Sequence, residues 1–491
     1  MLLVVAGAVG YLGWRPPAPV VGANVFVNQT GIIDAFSTPT VVGDPRRPSD
    51  LVAVYRKDRP QLSGQLSWST DGGSAWKTTS LPLPDGLHEA FFPDAAFAPD
   101  GSLYVVYVDL EGRGNVPADL WLARSSDGGR TLSAPLRLAG ANAFQPRILV
   151  SAGGAVYLTW LQVDAAAGGR LGGAPLDVVA TSSTDGGATF AVPVAVSHAG
   201  DVVASPDPVL AADGHLVVAY QDSGPAPPAP GAPTTSPPPN PPSALVVSRA
   251  RGAGPGLAGG FSNPVVVDPR VVSHQRSSLF DNLFPSVAAG SGGDLYLVWS
   301  GAAGRGEQVM LSRSTDGGRR WSAPSRVEGR ADAVTGPARY LPSVSVAPDG
   351  RLDVAFLAQR ADHFADVYLA TSTDRGASFT LTRTSSASFD ARVGPNFGNG
   401  LPSDLGSHLG LLSRGSGAEV AWTDSRLGTT TTGRQDIVAA GVDVASGSIW
   451  SRPLVDVAAG LAVVAAGLLV AAGAGRARGR RGGADPVPVP A

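Results

Sequence analysis

The chain has 491 residues and a formal net charge of -3, so it lacks the concentrated Lys/Arg surface of a nucleic-acid-binding protein. It contains 63 Gly and 42 Pro but only 16% charged residues, a composition that excludes helical bundles and coiled coils and favours a turn-rich β protein. Because Cys is absent, disulfides, thiolate metal sites and cysteine nucleophiles are excluded as well.

The N-terminus begins with an apolar run, residues 1–14, that has the length of a signal-peptide core and is too short to span a bilayer. No basic residues precede it, and small residues at 21–23 offer a cleavage site before Asn24. We therefore predict that residues 1–23 are a signal peptide or a truncated N-terminal anchor. A buried N-terminal strand is the alternative.

One motif, Ser-x-Asp-x-Gly-x-x-aromatic, recurs between the two ends of the chain. Its first three copies start at Ser69, Ser125 and Ser183, and the second of these has lost the aromatic residue. Spacings of 56 and 58 residues lie in the range of propeller blades. The recurring Asp and aromatic positions are Asp71, Trp76, Asp127, Asp185, Phe190, Asp316, Trp321, Asp374 and Phe379.

Two further features repeat seven times in the same phase. A proline marks the first strand of each unit, at Pro39, Pro93, Pro146, Pro206, Pro285, Pro342 and Pro402. A β-patterned strand then ends in an aromatic residue, at Tyr55, Tyr107, Trp160, Tyr220, Trp299, Phe356 and Trp422.

With a strand before each motif and another after it, each unit is predicted to be a four-stranded antiparallel meander. Radially arranged meanders make a β-propeller with protected edges. Seven units predict seven blades, and six is the alternative if a terminal unit is partial. Residues 25–27 could complete the sheet of the last blade.

The Asp of each motif is expected to have a structural role. A turn Asp accepts hydrogen bonds from nearby backbone N–H groups, Gly tolerates positive φ, and the Ser hydroxyl ties the end of the strand. A single active site does not need the same Asp in every unit.

These motifs resemble the Asp-box (BNR) repeats of the sialidase superfamily, and the resemblance covers roughly residues 36–452. It implies an all-β propeller fold and two alternative functions, a glycan- or protein-binding module and an exo-α-sialidase or related glycosidase. The arginine that the family carries on its first inner strand is missing, since that strand reads Phe36-Ser-Thr-Pro39.

A sialidase must clamp a carboxylate with arginines, protonate the leaving oxygen and supply a Tyr nucleophile. If the chain is a sialidase, Tyr340 is the candidate nucleophile, because it is the tyrosine in the last third of the chain that has an adjacent arginine. No other catalytic residue is assigned; structural ion pairs are the alternative role of the remaining candidates, Arg56, Asp58, Arg147, Arg339 and Arg426.

We predict no metal and no cofactor, because the six His have no ligand spacing and neither a nucleophile elbow nor a P-loop is present. A Pro-rich insert at residues 224–243 separates the second and third strands of the fourth unit, and it is predicted to be an exposed extended loop.

Residues 457–475 are uncharged and apolar, and four arginines follow within the next six residues. This pattern predicts a transmembrane helix at 453–475 and a basic cytoplasmic tail at 476–491. The propeller, residues 24–452, would then lie outside the cell on a single-pass anchor. The predicted partners are the membrane and a glycan or surface-protein ligand.

Overall fold

The structure is a computed structural model. It describes residues 19–28, 31–87, 89–111, 116–140, 143–163, 176–225, 243–271, 284–303, 306–327, 338–395 and 403–444. The chain divides into two compact units, one formed by residues 21–442 and the other by 1–20 with 443–491. The first unit contains nearly all of the described residues.

The regular secondary structure of the described residues is β-strand, apart from two 3₁₀ turns at Leu257–Gly259 and Ser291–Gly293. Two short strands come first, β1 (Val20–Val21) and β2 (Val25–Phe26). Antiparallel pairing then groups the described strands into seven successive sets, called sheets 1 to 7 below.

Sheet 1 consists of β3 (Ala35–Asp44), β4 (Arg47–Arg59), β5 (Ser63–Ser69) and β6 (Lys77–Ser80). Sheet 2 consists of β7 (Ala90–Phe97), β8 (Leu103–Glu111), β9 (Val116–Ser125) and β10 (Leu136–Ala139). Sheet 3 consists of β11 (Ala143–Val150), β12 (Val156–Val163), β13 (Leu176–Ser183) and β14 (Val194–Ala195). Sheet 4 consists of β15 (Asp201–Leu210), β16 (His215–Pro225), β17 (Ser243–Ala253) and β18 (Val265–Val271).

Sheet 5 consists of β19 (Ser286–Ala289), β20 (Leu295–Ala303), β21 (Gly306–Ser314) and β22 (Ser325–Arg326). Sheet 6 consists of β23 (Ala338–Val346), β24 (Leu352–Gln359), β25 (Phe364–Ser372), β26 (Thr380–Arg383) and β27 (Phe389–Asp390). Sheet 7 consists of β28 (Gly410–Ser413), β29 (Gly417–Asp424) and β30 (Asp436–Asp443), with β2 paired to β30.

The second strand of each sheet is apolar on both faces because a neighbouring sheet covers each side. The strand continues two to five residues beyond the aromatic residue that was expected to end it. This aromatic residue is at most 2% exposed in every sheet, as in Tyr55, Trp299 and Trp422. Burial of so large a side chain is worth roughly 2–3 kcal/mol by area alone. The aromatic residues therefore contribute large apolar contacts between neighbouring sheets.

Sheet 7 packs on sheet 1 and thereby closes the array. Phe36 and Val41 of sheet 1 share a buried cluster with Ala421 and Ile437 of sheet 7. The N-terminal segment contributes the outer strand of sheet 7, where Val25 pairs with Ala439. The expectation that residues 25–27 complete the last sheet is confirmed, and the all-β arrangement of four-stranded antiparallel sheets is that of a β-propeller.

The two faces of the molecule differ in which strand ends they carry. First strands start, and second strands end, at what we call the mouth face. The Asp-box motifs connect third to fourth strands at the opposite, box face.

All five boxes share one hydrogen-bond pattern. In the first, Ser69 Oγ donates to Asp71 Oδ1 (2.8 Å) and accepts from the Gly73 N–H (3.0 Å), while the Ala75 N–H donates to Asp71 Oδ1 (2.9 Å). These hydrogen bonds lower the pKa of Asp71, with the bond from Ala75 the largest cause. The Ser hydroxyl and the Asp carboxylate are thus used within the turn.

No helix in the described part of the chain is long and apolar enough to cross a membrane. The predicted membrane helix at 453–475, the tail at 476–491 and residues 226–242 of the insert lie outside the described residues, as do residues 1–18.

Candidate functional site

The first strands of the sheets line a central channel, and each carries an irregularity near its start. In six sheets the residue directly before the repeated proline has positive φ, with values from 46° to 58°. We call these side chains the mouth ring: Thr38, Phe92, Gln145, Ser205, Phe284 and Leu341. A non-Gly residue in this conformation costs free energy, and such positions concentrate at binding and active sites.

Sheet 7 replaces the X-Pro pair by Gly406, with φ 91°, and Ser407. Ser407 lines the same cavity as the repeated prolines, so it takes the place that the sequence assigned to Pro402. Pro402 lies outside the described residues. His408 then stands where the other sheets have the residue after proline.

The residues after the prolines form a second ring, called the polar belt: Thr40, Asp94, Arg147, Asp207, Ser286, Ser343 and His408. Each belt side chain whose contact is described bonds to an adjacent sheet. Asp94 Oδ2 accepts from the Ile148 N–H (3.0 Å), Asp207 Oδ2 from the Val287 N–H (2.7 Å) and Ser286 Oγ from the Val344 N–H (3.2 Å). The belt therefore joins the sheets across the channel wall.

Arg147 is the charged centre of the belt. Its Nη2 donates to Asp207 Oδ1 (2.7 Å), and its Nη1 lies 3.7 Å from Asp94 Oδ1. Burial alone would lower the pKa of Arg147, but the two carboxylates outweigh burial and raise it. One guanidinium facing two carboxylates leaves the belt without excess positive charge.

His408 closes the belt between sheets 7 and 1. Its Nε2 lies 3.1 Å from Thr40 Oγ1, and its Nδ1 lies 3.0 Å from Ser407 Oγ. Burial, and then the positive charges of Arg147 and Arg56, hold the pKa of His408 well below its usual range. The imidazole is consequently neutral at physiological pH.

Two cavities adjoin the belt. The mouth cavity, about 50 Å³, lies between the mouth ring and the belt and is walled by prolines and the Phe92 and Phe284 rings. The inner cavity, about 410 Å³, lies on the box side of the belt among small residues such as Thr40, Ser286 and Ser345. Volumes of 300–1,000 Å³ are typical of ligand pockets.

Two buried polar groups at the mouth cavity have no hydrogen-bond partner within the protein. These are Gln145 Nε2 and Ser205 Oγ, and their residues, each 5% exposed, line this cavity. The two side chains are neighbours, because the Ser205 N–H donates to Gln145 Oε1 (2.9 Å). A buried polar group without a partner is costly and calls for an explanation such as a bound molecule.

Arg56 and Asp58, two of the sialidase candidates, meet in a buried cluster with Asp404. Arg56 Nη2 lies 3.0 Å from Asp404 Oδ2, its Nε contacts Asp58 Oδ1, and the guanidinium stacks 5.4 Å from the Phe92 ring centre. Burial opposes the charge of Arg56, yet the two carboxylates raise its pKa. Burial also raises the pKa of Asp58, and Arg56 offsets part of that rise.

The remaining candidates lie apart from this cluster. The Tyr340 hydroxyl donates to Gln359 Oε1 (3.0 Å), and Tyr340 is 2% exposed. Arg426 pairs with Asp424 (2.6 Å) and reaches Asn24 Oδ1 (3.1 Å). Arg339 precedes Tyr340 on β23. Of the four candidate arginines, Arg147 is the one that lines the two channel cavities.

Sequence reasoning missed Gln145, Ser205, Phe92 and Phe284. Their signal was present, since each directly precedes a proline that repeats once per unit. That position is where a first strand turns its side chain toward the channel. Within the described residues no group of three His, Asp or Glu side chains is placed to hold a metal ion.

The closed array of antiparallel sheets, the Asp-box turns and the polar channel define a β-propeller fold. No protein-family model and no curated protein matches the sequence. Among solved structures, an ulvan lyase of polysaccharide lyase family PL25 matches with a TM-score of 0.51 and 12% identity, over 90% of this chain and 98% of the other.

A protein of unknown function from Dyadobacter fermentans matches with a TM-score of 0.49 and 14% identity, over 87% of this chain and 99% of its own. The Hadza microbial sialidase Hz136 matches with a TM-score of 0.45 and 16% identity, over 72% of this chain and 66% of its own. At 12% identity, the match to the ulvan lyase shows a shared fold. The β-propeller fold expected from the Asp-box motifs is confirmed.

Proposed function

We propose that this protein is a seven-bladed propeller that binds carbohydrate at its channel mouth and is held on the outer face of a membrane by residues 453–475. The seven strand sets and their closure through sheet 7 support the blade count. The uncharged segment and the arginines after it support the anchor.

One observation favours binding over hydrolysis. The functional groups that a sialidase would need are engaged by other side chains: Arg56 by Asp58 and Asp404, Arg147 by Asp94 and Asp207, Arg426 by Asp424 and Tyr340 by Gln359. A guanidinium held between two carboxylates has little capacity left for a substrate carboxylate. A tyrosine nucleophile would need a Glu or similar base, and the hydroxyl of Tyr340 instead donates to an amide.

The test is a pair of assays on the full chain in detergent. Binding is measured on an array of neutral and acidic oligosaccharides, and turnover is measured with a fluorogenic sialoside. We expect saturable binding to at least one oligosaccharide and no turnover. If no saccharide binds, the proposal is wrong.

The exo-sialidase remains the competing function, and the Tyr340→Phe variant distinguishes it. Sialoside turnover by the wild type that disappears in Tyr340→Phe would establish the sialidase. Turnover that persists in this variant would point to a hydrolase with another nucleophile and would also contradict a pure binding module.

The anchor is tested separately on cells that express the full chain. We expect the protein to stay in the membrane fraction after an alkaline carbonate wash, and the propeller to be cleaved by protease added outside. Release by carbonate, or protection from the external protease, would contradict the proposed topology.

A further inference from the structure

We infer that Gln145 and Ser205 form a subsite that takes the hydroxyl groups of an uncharged sugar ring, with Phe92 and Phe284 on either side. This inference rests on the proposed function and names the ligand class of the same channel mouth. The observations behind it are the two unpartnered buried groups and the composition of the mouth ring.

The polar pair is built to receive a ligand. Gln145 Oε1 is already used by the Ser205 N–H at 2.9 Å, which fixes the orientation of the amide and leaves Nε2 as the available donor. Ser205 Oγ can donate or accept, as a sugar hydroxyl can. The two residues are 5% exposed and the two atoms are buried, so a ligand hydroxyl that reached them would satisfy groups that are otherwise buried and unpaired.

The flanking residues suit the apolar faces of a sugar. In the order of the sheets the mouth ring reads Phe92, Gln145, Ser205 and Phe284, so that an aromatic ring stands on each side of the polar pair. Phe92 makes edge-to-face contacts with Phe91 and Phe144, with ring centroids 4.5 Å and 4.9 Å apart. Apolar walls with a few oriented polar groups are the usual construction of a small-molecule site.

The charge of the belt selects an uncharged ligand. Arg147, in the polar belt, is the nearest belt cation to the polar pair, but its guanidinium is shared by Asp94 and Asp207. An acidic sugar would bring a carboxylate toward two existing carboxylates with no excess positive charge to offset them. A neutral sugar meets no such repulsion.

The mouth cavity is small, about 50 Å³, which is room for a few waters or for the edge of a ring with its hydroxyls. A terminal sugar that enters edge-on would thus leave the rest of an oligosaccharide outside the mouth. We accordingly expect recognition of a terminal residue, with lesser dependence on the sugars that follow it.

The experiment measures binding of neutral disaccharides (lactose, cellobiose, arabinobiose) and of acidic sialyllactose to the full chain by calorimetry. Two variants test the subsite. Ser205→Ala removes the hydroxyl and keeps the backbone N–H bond to Gln145. Gln145→Glu keeps the acceptor oxygen and replaces the Nε2 donor. Gln61→Glu, at an exposed position on the rim of sheet 1, is the matched control.

We expect at least one neutral disaccharide to bind more tightly than sialyllactose, about tenfold weaker binding in either subsite variant, and unchanged binding in Gln61→Glu. Because Ser205→Ala removes an unpaired buried group, its melting temperature without ligand should equal or exceed that of the wild type.

The results separate this inference from the proposed function. If the wild type binds no saccharide at all, the proposed function and the inference both fail. If a neutral saccharide binds but both variants bind it as the wild type does, the subsite alone is wrong. Preference for sialyllactose refutes the uncharged class. A drop in melting temperature in Ser205→Ala, without loss of affinity, would mean that an ordered water alone occupies the site.

Discussion

Replacing Arg147 by Met tests whether the polar belt holds the sheets together. Met matches the apolar stem of the Arg side chain but lacks the guanidinium, so it removes the positive charge between Asp94 and Asp207. The two carboxylates then face the channel without a counter-charge. The perturbation acts on three sheets at once, since the three residues belong to sheets 3, 2 and 4.

The magnitude follows from burial. The side chains of Asp94 and Asp207 are 8% and 9% exposed and that of Arg147 is 26% exposed, so the cluster is mostly buried. Removing one partner of a buried ion pair costs about 3–5 kcal/mol, and we expect the lower end here because the guanidinium is partly solvated. Arg137→Met is the matched control. Arg137 pairs with Asp119 at 2.6 Å but is 58% exposed, so its loss should change the stability little.

The assay is urea unfolding of the full chain at pH 5 and pH 8. Burial already raises the pKa of Asp207, and loss of Arg147 raises it further. A group with a raised folded-state pKa destabilises the fold as pH rises through that pKa, so the deficit of Arg147→Met should be larger at pH 8 than at pH 5. A deficit no larger than that of Arg137→Met, or one independent of pH, would refute the reasoning.

Three further predictions concern the box face. Gly129→Ala should lower the free energy of unfolding in urea by roughly 1–2 kcal/mol more than Gly128→Ala does. Both glycines have positive φ, but a Cβ at 129 would lie 3.1 Å from the Leu66 side chain. Equal losses in the two variants would contradict this packing. Hydrogen bonds within its box, of which the bond from the Ser378 side chain has the largest effect, lower the pKa of Asp374 to about 2. The wild type should therefore lose more stability than Asp374→Asn as pH falls from 4 to 2. If the two proteins lost equal stability over this range, the hydrogen bonds to Asp374 would not stabilise the fold. Burial raises the pKa of Glu419 to about 7, so the stability linked to this carboxyl group is present at acid pH and lost as pH rises through 7. Glu419→Gln should therefore show a smaller stability difference between pH 5 and pH 8 than the wild type. An equal difference in the two proteins would contradict the assignment of this pH dependence to Glu419.

The repeat could be predicted from the sequence because its causes are local. In each box the Ser hydroxyl donates to the Asp and accepts from the N–H of the Gly two residues after the Asp, as in Ser125, Asp127 and Gly129. The second strands could also be recognised, since their apolar runs end in aromatic residues that pack between sheets. Both patterns are visible without knowledge of the partner sheet.

Sheet 7 shows where local patterns stop. The proline at 402 matches the spacing of the other units, but Gly406 and Ser407 take the equivalent place beside the channel. Gly adopts positive φ without strain, so it can substitute for the residue before proline at this position. A pattern based on proline could not find it.

The site could be predicted only in part, because its contacts join distant residues. Arg147 meets Asp207 across 60 positions, and Arg56 meets Asp404 across 348. The sequence named Arg56 and Arg147 as sialidase candidates but could not show which carboxylates engage them. Nor could it show that Gln145 Nε2 is left without a partner, since that depends on the packing of every neighbour.

The central claim, that the channel mouth binds an uncharged sugar, is tested most directly by a crystal structure of the full chain with a neutral disaccharide that binds it. We predict a terminal ring between Phe92 and Phe284, with its hydroxyls within 3.2 Å of Gln145 Nε2 and Ser205 Oγ, a distance typical of hydrogen bonds. A disaccharide bound elsewhere on the propeller, with only water at these two atoms, would contradict the account.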